Sequence, residues 1–174
     1  MSNENNTATI SQLVQDLNQI KKTGSKVIKE SFKKFIKDYP FIKKLVVTGS
    51  TPSFNDGDPC TFSLHEFQIF LDLKKADKAI VEAIKAEFHL SDEDLEMTED
   101  EDFAEENEYG GDLGILEDMK SSLPKEYRNM LRELTKIESD CNSIEDLMQS
   151  TFGSNFRLVI TSKGIDVQDY DCGY

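Results

Sequence analysis

The chain contains no tryptophan, only three cysteines and no long apolar run. A membrane-spanning helix needs roughly 18 or more consecutive apolar residues, and a secretory signal begins with basic and then apolar residues. The first seven residues here are polar and acidic. Cys60, Cys141 and Cys172 are widely spaced and odd in number, which is typical of neither a disulfide framework nor paired zinc knuckles. We therefore expect reduced thiols, no membrane association and a cytoplasmic location.

Motifs of the common enzyme classes are missing as well. The sequence has no Gly-rich phosphate loop, no HExxH and no GxSxG. We expect no cofactor, and catalysis has no motif to support it. No long linker rich in Gly, Pro or Ser divides the 174 residues. With a hydrophobic content of 37%, the chain is expected to form a single domain, residues 1–174, with a modest core.

The net charge of −14 is concentrated in one segment. Residues 90–112 contain twelve of the 34 Asp and Glu residues and no Lys or Arg. Because residues 91–112 also lack an apolar period, we interpret them as an acidic mobile loop. Residues 21–44 are the opposite, with nine lysines against Glu30 and Asp38. This lysine strip is expected on the N-terminal helix, but without arginine or aromatic partners it is a poor nucleic-acid footprint.

Periodicity predicts the helices. Apolar residues from Ile10 to Ile36 recur at three- and four-residue steps, which indicates a long amphipathic helix ending near Tyr39-Pro40. Gly24 marks a point where this helix could break or kink. Further helices are predicted from Leu73 to Phe88, from Pro124 onward, and in a short stretch capped by Ser143 and Asp146 that ends at Phe152-Gly153.

Two segments alternate as strands do. Leu45 to Thr48 is followed by Thr61 to Leu71, in which the apolar period slips by one residue at His65 and Glu66, so a β-bulge is expected there. Residues 156–169 form a second unit around the turn Ser162-Lys-Gly164. Two hairpin-like units predict an α+β fold with an antiparallel sheet of about four strands, covered by helices on one face.

The two strand regions also carry a resemblance. The run Thr51-Pro-Ser-Phe-Asn-Asp-Gly-Asp-Pro-Cys60 with Thr61-Phe62, and the hairpin at residues 152–171 with its acidic, tyrosine-containing tail, resemble a group of small proteins of large tailed bacteriophages. Relatives in that group often have Trp and Tyr just before the Thr-Pro, whereas this chain has Val47-Thr-Gly-Ser50. The resemblance implies a phage setting and carries no established activity.

The central motif has two interpretations. Asp56, Asp58 and His65 are able to bind a metal ion, although their spacing matches no common metal site. The other interpretation is structural, because Asn55-Asp-Gly-Asp58 is turn chemistry and Pro59 directs the chain into the strand. A nucleophilic pair of Cys60 and His65 would need the bulge to bring both onto one face.

Three functional hypotheses follow. The first is a non-enzymatic phage accessory protein that binds a host or viral protein, through an acidic surface and the central hairpin. The candidate contact residues are Phe54, Asn55, Asp56, Asp58, Glu99, Asp100, Glu101 and Asp102. The second is a small metal-dependent hydrolase or nuclease centred on the motif. The third is a small-ligand sequestering protein with the bulged sheet as its pocket. The first is preferred because concentrated surface charge without a catalytic constellation is typical of an interaction module.

Overall fold

A computed structural model of the chain describes residues 10–53, 60–88 and 113–170. These residues form five helices and four strands. Helix α1 spans Ile10–Asp38, strand β1 Ile42–Ser50, strand β2 Ser63–Leu71 and helix α2 Lys78–Phe88. They are followed by helices α3 (Leu113–Asp118), α4 (Lys125–Asn142) and α5 (Glu145–Phe152), and by strands β3 (Phe156–Thr161) and β4 (Gly164–Asp169).

The four strands make one antiparallel sheet, in the order β2-β1-β3-β4. The two hairpin-like units are joined through β1 and β3, where Leu45 lies opposite Ile160 and Val47 opposite Leu158. This arrangement confirms the predicted α+β fold and the predicted strand count. β1 and β2 are each nine residues long, and β1 extends beyond the predicted Leu45 to Thr48 at both ends.

The β-bulge is also confirmed. Val47 pairs with Phe67 and Gly49 with Leu64, so two residues of β2, His65 and Glu66, stand opposite Thr48 alone. Because of this extra residue, the Leu64 side chain points to the core side of the sheet, where it packs together with Phe67. Both halves of β2 therefore contribute apolar side chains to the same face of the sheet.

The core lies between that face and the helices. Its largest fully buried side chains include Phe32 and Phe35 of α1, Phe67 of β2, Met130 of α4 and Phe156 of β3. In α1, the buried residues Ile28, Phe32, Phe35 and Ile36 recur at three- and four-residue steps, which turns one stripe of the helix toward the sheet. On the opposite face, Lys44 lies over Phe70 with its Nζ 4.4 Å from the ring centroid.

Three local predictions are corrected. α1 runs through Gly24 without a break. Ser143 and Asp146 do not cap α5: the N-cap is Ile144 without a side-chain hydrogen bond, and Ser143 Oγ donates to the Ser139 carbonyl at the end of α4. Both the hydroxyl and the backbone N–H of Ser143 therefore bond back to α4, at the same carbonyl. The lysine strip, finally, is not confined to α1, because Lys43 and Lys44 lie on β1.

Candidate functional site

The predicted site residues divide between described and undescribed parts of the chain. Phe54, Asn55, Asp56 and Asp58 lie outside the described residues, as do the acidic loop of residues 91–112 and its members Glu99, Asp100, Glu101 and Asp102. His65 is described and lies on β2 at the bulge. The structure therefore shows the surroundings of the central motif, at the end of β1 and the beginning of β2.

His65 contacts Ser50 at this end of the sheet. Its Nε2 is hydrogen-bonded to Ser50 Oγ at 2.7 Å. Ser50 is the last residue of β1 and only 3% exposed, whereas His65 is exposed. In β1, Leu45 and Val47 face the core, so Ser50 faces the opposite side of the sheet, and the bulge turns His65 to that side as well. The bulge therefore brings Ser50 and His65 to the same face of the sheet.

The end of the second hairpin reaches the same place. The rings of His65 and Tyr170, the residue that follows β4, have centroids 6.4 Å apart. The backbone N–H of Thr51 donates to Asn155 Oδ1 at 2.9 Å, and Asn155 directly precedes β3. Thr51 Oγ1 is buried and has no hydrogen-bond partner among the described residues. The described residues beside the central motif and those at both ends of the second hairpin therefore meet at one end of the sheet.

Gly49 of β1 lies at this end of the sheet. An ideal Cβ on Gly49 would lie 2.7 Å from the Phe156 ring and 2.8 Å from the Phe62 ring. Phe62 and Phe156 are themselves packed with ring centroids 5.9 Å apart. Gly49 is needed here because a side chain would collide with two aromatic rings. These rings support the strand ends from the core side.

The described part of the cluster contains a hydrogen-bonded pair of a buried serine and an exposed histidine. A serine nucleophile needs a base that a third group orients, together with donors that stabilise an oxyanion. Among the described residues, no carboxylate is hydrogen-bonded to His65, and no group of three or more His, Cys, Asp or Glu residues could hold a metal ion. The described partner of His65 Nε2 is Ser50, not Cys60. The hydrogen bond to His65 gives the buried Ser50 hydroxyl a partner and links β1 to the bulge in β2.

The described cysteines are free thiols. Cys60 is exposed and precedes β2, while Cys141 is buried near the end of α4. Burial, with the nearby carboxylates of Asp140 and Glu138, raises the pKa of Cys141 to about 12. Cys141 therefore stays protonated at neutral pH and behaves as a small apolar residue.

Sequence reasoning missed most of this cluster. Ser50, Asn155 and Tyr170 were not predicted as site residues, because none belongs to a recognisable motif. The available signal was the slip of the apolar period at His65, which predicts the bulge but not the residue that the turned histidine meets. One groove among the described residues lies between α1 and α5.

No protein-family model matches this chain, and neither a curated protein nor a solved structure shows detectable similarity to it. Within residues 10–53, 60–88 and 113–170, no helix combines the length and the apolar character that crossing a bilayer requires.

Proposed function

We propose that this chain is a non-enzymatic bacteriophage accessory protein that binds a basic surface of a host or viral protein in the host cytoplasm. The acidic segment is the contact surface. The observation that carries this proposal is the concentration of charge: twelve carboxylates and no Lys or Arg within residues 90–112. The phage setting rests on the resemblance of the central motif and the C-terminal hairpin.

The helices before and after the acidic segment support this function. α2 ends at Phe88 and α3 begins at Leu113, and these two helices contact each other. Ile80 and Ile84 of α2 and Leu116 of α3 are buried in the same core. The described residues on both sides of the acidic segment therefore belong to one part of the core.

Dense carboxylates complement a basic protein groove. Many such grooves bind the phosphate backbone of nucleic acids, and a protein that presents closely spaced negative charges can compete for them without any chemistry of its own. The partner class is thus a protein with a nucleic-acid-binding surface, such as a polymerase or a nuclease.

The lysines of the chain do not favour direct nucleic-acid binding. Lys26 and Glu30 lie 3.8 Å apart on α1, and Lys34 is paired with Asp38 one turn further along the helix. These pairs are exposed and contribute little to stability. Residues 21–44 contain no arginine, and Phe32 and Phe35 are buried in the core, so the lysine strip lacks the arginine and stacking partners of a typical nucleic-acid footprint.

Affinity capture from phage-infected cells, read by mass spectrometry, tests the proposal. The bait is the full chain, compared with the variant Glu99→Gln, Asp100→Asn, Glu101→Gln, Asp102→Asn. The matched control neutralises four exposed carboxylates elsewhere: Glu30→Gln, Asp140→Asn, Asp166→Asn and Asp169→Asn. We expect one partner to be enriched by the parent and the control and lost with the first variant.

The salt dependence of binding to the captured partner is the second measurement. Exposed charges are screened over about 10 Å at 0.1 M ionic strength, so the affinity should fall steeply between low and physiological salt. Deleting residues 92–108 should abolish binding. Salt-insensitive binding that survives the deletion would contradict the proposal and move the contact to the sheet edge around His65.

A further inference from the structure

The first half of α1 projects from the body of the protein. Every residue from Ile10 to Thr23 is exposed, and the first buried residue of the helix is Ile28. Fourteen residues at 1.5 Å each correspond to an arm of about 21 Å. Isolated helices of this length are marginal in water, and most helical stability in proteins comes from packing an apolar face. The arm has such a face, and each of its large apolar side chains is at least 50% exposed.

The apolar face of the arm has the spacing of a coiled-coil seam. Ile10, Leu13, Leu17, Ile20, Gly24 and Val27 follow one another at intervals of three and four residues, as alternating a and d positions of a heptad do. The exposed fractions are 82% for Ile10, 55% for Leu17 and 60% for Ile20. A stripe with this period fits the side of another helix.

The chain also carries an acceptor for such a helix. A groove of about 450 Å³ lies between α1 and α5, with walls that include Ile20, Val27, Ile144 and Leu147. Gly24 lines the groove and lets α5 approach α1 closely, since a Cβ there would lie 2.5 Å from Leu147 Cδ2. The groove begins where the arm ends, because Ile20 and Thr23 also line it. Each chain therefore has both an apolar arm and an apolar groove.

We propose that α1 is a self-association surface, in which the arm of each chain lies antiparallel in the groove of a second copy. In the register that pairs every seam position, Ile10 lies opposite Val27 of the second copy, Leu13 opposite Gly24, and Leu17 opposite Ile20. The contact is isologous, so a two-fold axis between Leu17 and Ile20 closes the dimer. This inference goes beyond the proposed function and does not rest on it.

The position of the groove favours the antiparallel register. It places Leu13 opposite Gly24 of the second copy, beside the Leu147 side chain that packs on that glycine and lines the groove. A parallel pair would instead place the arm opposite the other arm, outside the groove. The antiparallel arm also ends at Val27 of the second copy, next to Ile28, where the buried part of the helix begins.

Charge favours the same orientation. Residues 10–20 carry one charged side chain, Asp16, whereas residues 21–29 carry Lys21, Lys22, Lys26 and Lys29. An antiparallel pair lays the nearly neutral arm along the lysine-rich half, while a parallel pair lays the two lysine-rich halves side by side. The antiparallel pair also places the two folded cores at opposite ends of the helix pair. Each chain has a net charge of −14, and salt screens the repulsion between the two cores more effectively at that separation.

Sedimentation equilibrium of the full chain tests the association. We expect a species of twice the monomer mass of 19.8 kDa. Leu17→Asp should raise the dissociation constant at least 100-fold, whereas Asn18→Asp, which adds the same charge one residue away from the seam, should change it less than threefold. Unchanged circular dichroism and thermal unfolding of the diluted, monomeric Leu17→Asp chain would show that the fold is intact. A parent that stays monomeric at 100 µM, or a dimer that Leu17→Asp leaves unaffected, would overturn the proposal.

Disulfide trapping tests the orientation, in a chain carrying Cys60→Ser and Cys172→Ser. Mixing the Ile10→Cys chain with the Val27→Cys chain should give the cross-linked heterodimer in high yield, while either chain alone should cross-link at least tenfold less. Efficient cross-linking of Ile10→Cys with itself would establish a parallel pair and overturn the antiparallel register.

Discussion

Ser50 Oγ and His65 Nε2 lie 2.7 Å apart only because of the β-bulge. Between the pairs Val47–Phe67 and Gly49–Leu64, β2 has one residue more than β1. In an unbroken ladder that continued from Val47 opposite Phe67, Gly49 would face His65 and Ser50 would face Leu64. The histidine would then point into the core. The bulge exchanges the two side chains, which buries Leu64 partly and turns the imidazole toward the serine hydroxyl.

This geometry predicts an unequal response to truncation. His65→Ala should lower the free energy of unfolding by about 1–2 kcal/mol, because it leaves the buried Ser50 hydroxyl without its partner. Ser50→Ala should cost less, since the exposed imidazole can bond to water instead. In the Ser50→Ala background, the additional effect of His65→Ala should nearly disappear. Urea unfolding of the four chains measures this cycle, and additive losses would show that the hydrogen bond contributes nothing to stability.

Divalent metals should leave the melting temperature unchanged. Turn chemistry at Asn55 to Asp58 is our expectation from the sequence, and this prediction follows from it. Thermal unfolding with millimolar Mg²⁺, Mn²⁺ or Zn²⁺ checks this, because an ion that binds the folded state raises its melting temperature by linkage. A rise that is lost in both Asp56→Ala and Asp58→Ala, and kept in the control Asp140→Asn, would establish the metal-dependent hydrolase as the leading hypothesis.

Gly24→Ala and Leu147→Ala should be energetically coupled. Alanine is favoured over glycine by about 1 kcal/mol inside a helix, but a Cβ at residue 24 would lie 2.5 Å from Leu147 Cδ2. We expect Gly24→Ala alone to give no net stabilisation, and the same change in a Leu147→Ala chain to stabilise by roughly 0.5–1 kcal/mol. Denaturant unfolding in the Leu17→Asp background separates this effect from association. Equal effects in both chains would mean that Leu147 moves aside freely.

Alkaline pH should destabilise the protein partly through Tyr39. Burial, followed by the 2.8 Å hydrogen bond that its hydroxyl donates to Glu133 Oε2, raises the pKa of Tyr39 to about 12 from 10.0. The folded state therefore holds this proton where the unfolded state has released it. The stabilisation is complete below pH 10 and is lost as the pH rises from about 10 to about 12.

The melting temperature measured between pH 9.5 and 11.5 should thus fall less steeply in Tyr39→Phe than in the parent chain, and Glu133→Gln should have a weaker effect in the same direction. Part of the slope should remain, because burial also raises the pKa of Tyr127 and of Cys141. A parent slope that Tyr39→Phe leaves unchanged would assign the alkaline transition to these other groups.

The elements that could be predicted are those whose apolar period is local. α1, β2 with its bulge, the turn at Ser162 to Gly164 and the end of α5 at Gly153 all follow from spacing within about ten residues. Ser143 was assigned wrongly, because a serine between two helices can bond to either one, and only the closure of α4 decides which. Gly24 was interpreted as a weak point of the helix, whereas it is a contact with Leu147, more than a hundred residues away in sequence.

The sequence by itself determined the α+β class, the bulge and the separation of charge between residues 21–44 and 90–112, since periodicity and composition are local properties. The tertiary structure alone decided that Ser50, His65 and Tyr170 lie at the same end of the sheet, and that the arm of α1 projects beyond its own core. Periodicity states which face of an element is apolar. Strand order and helix packing decide which element packs against that face and how much of the face stays exposed. No local pattern encodes either of them.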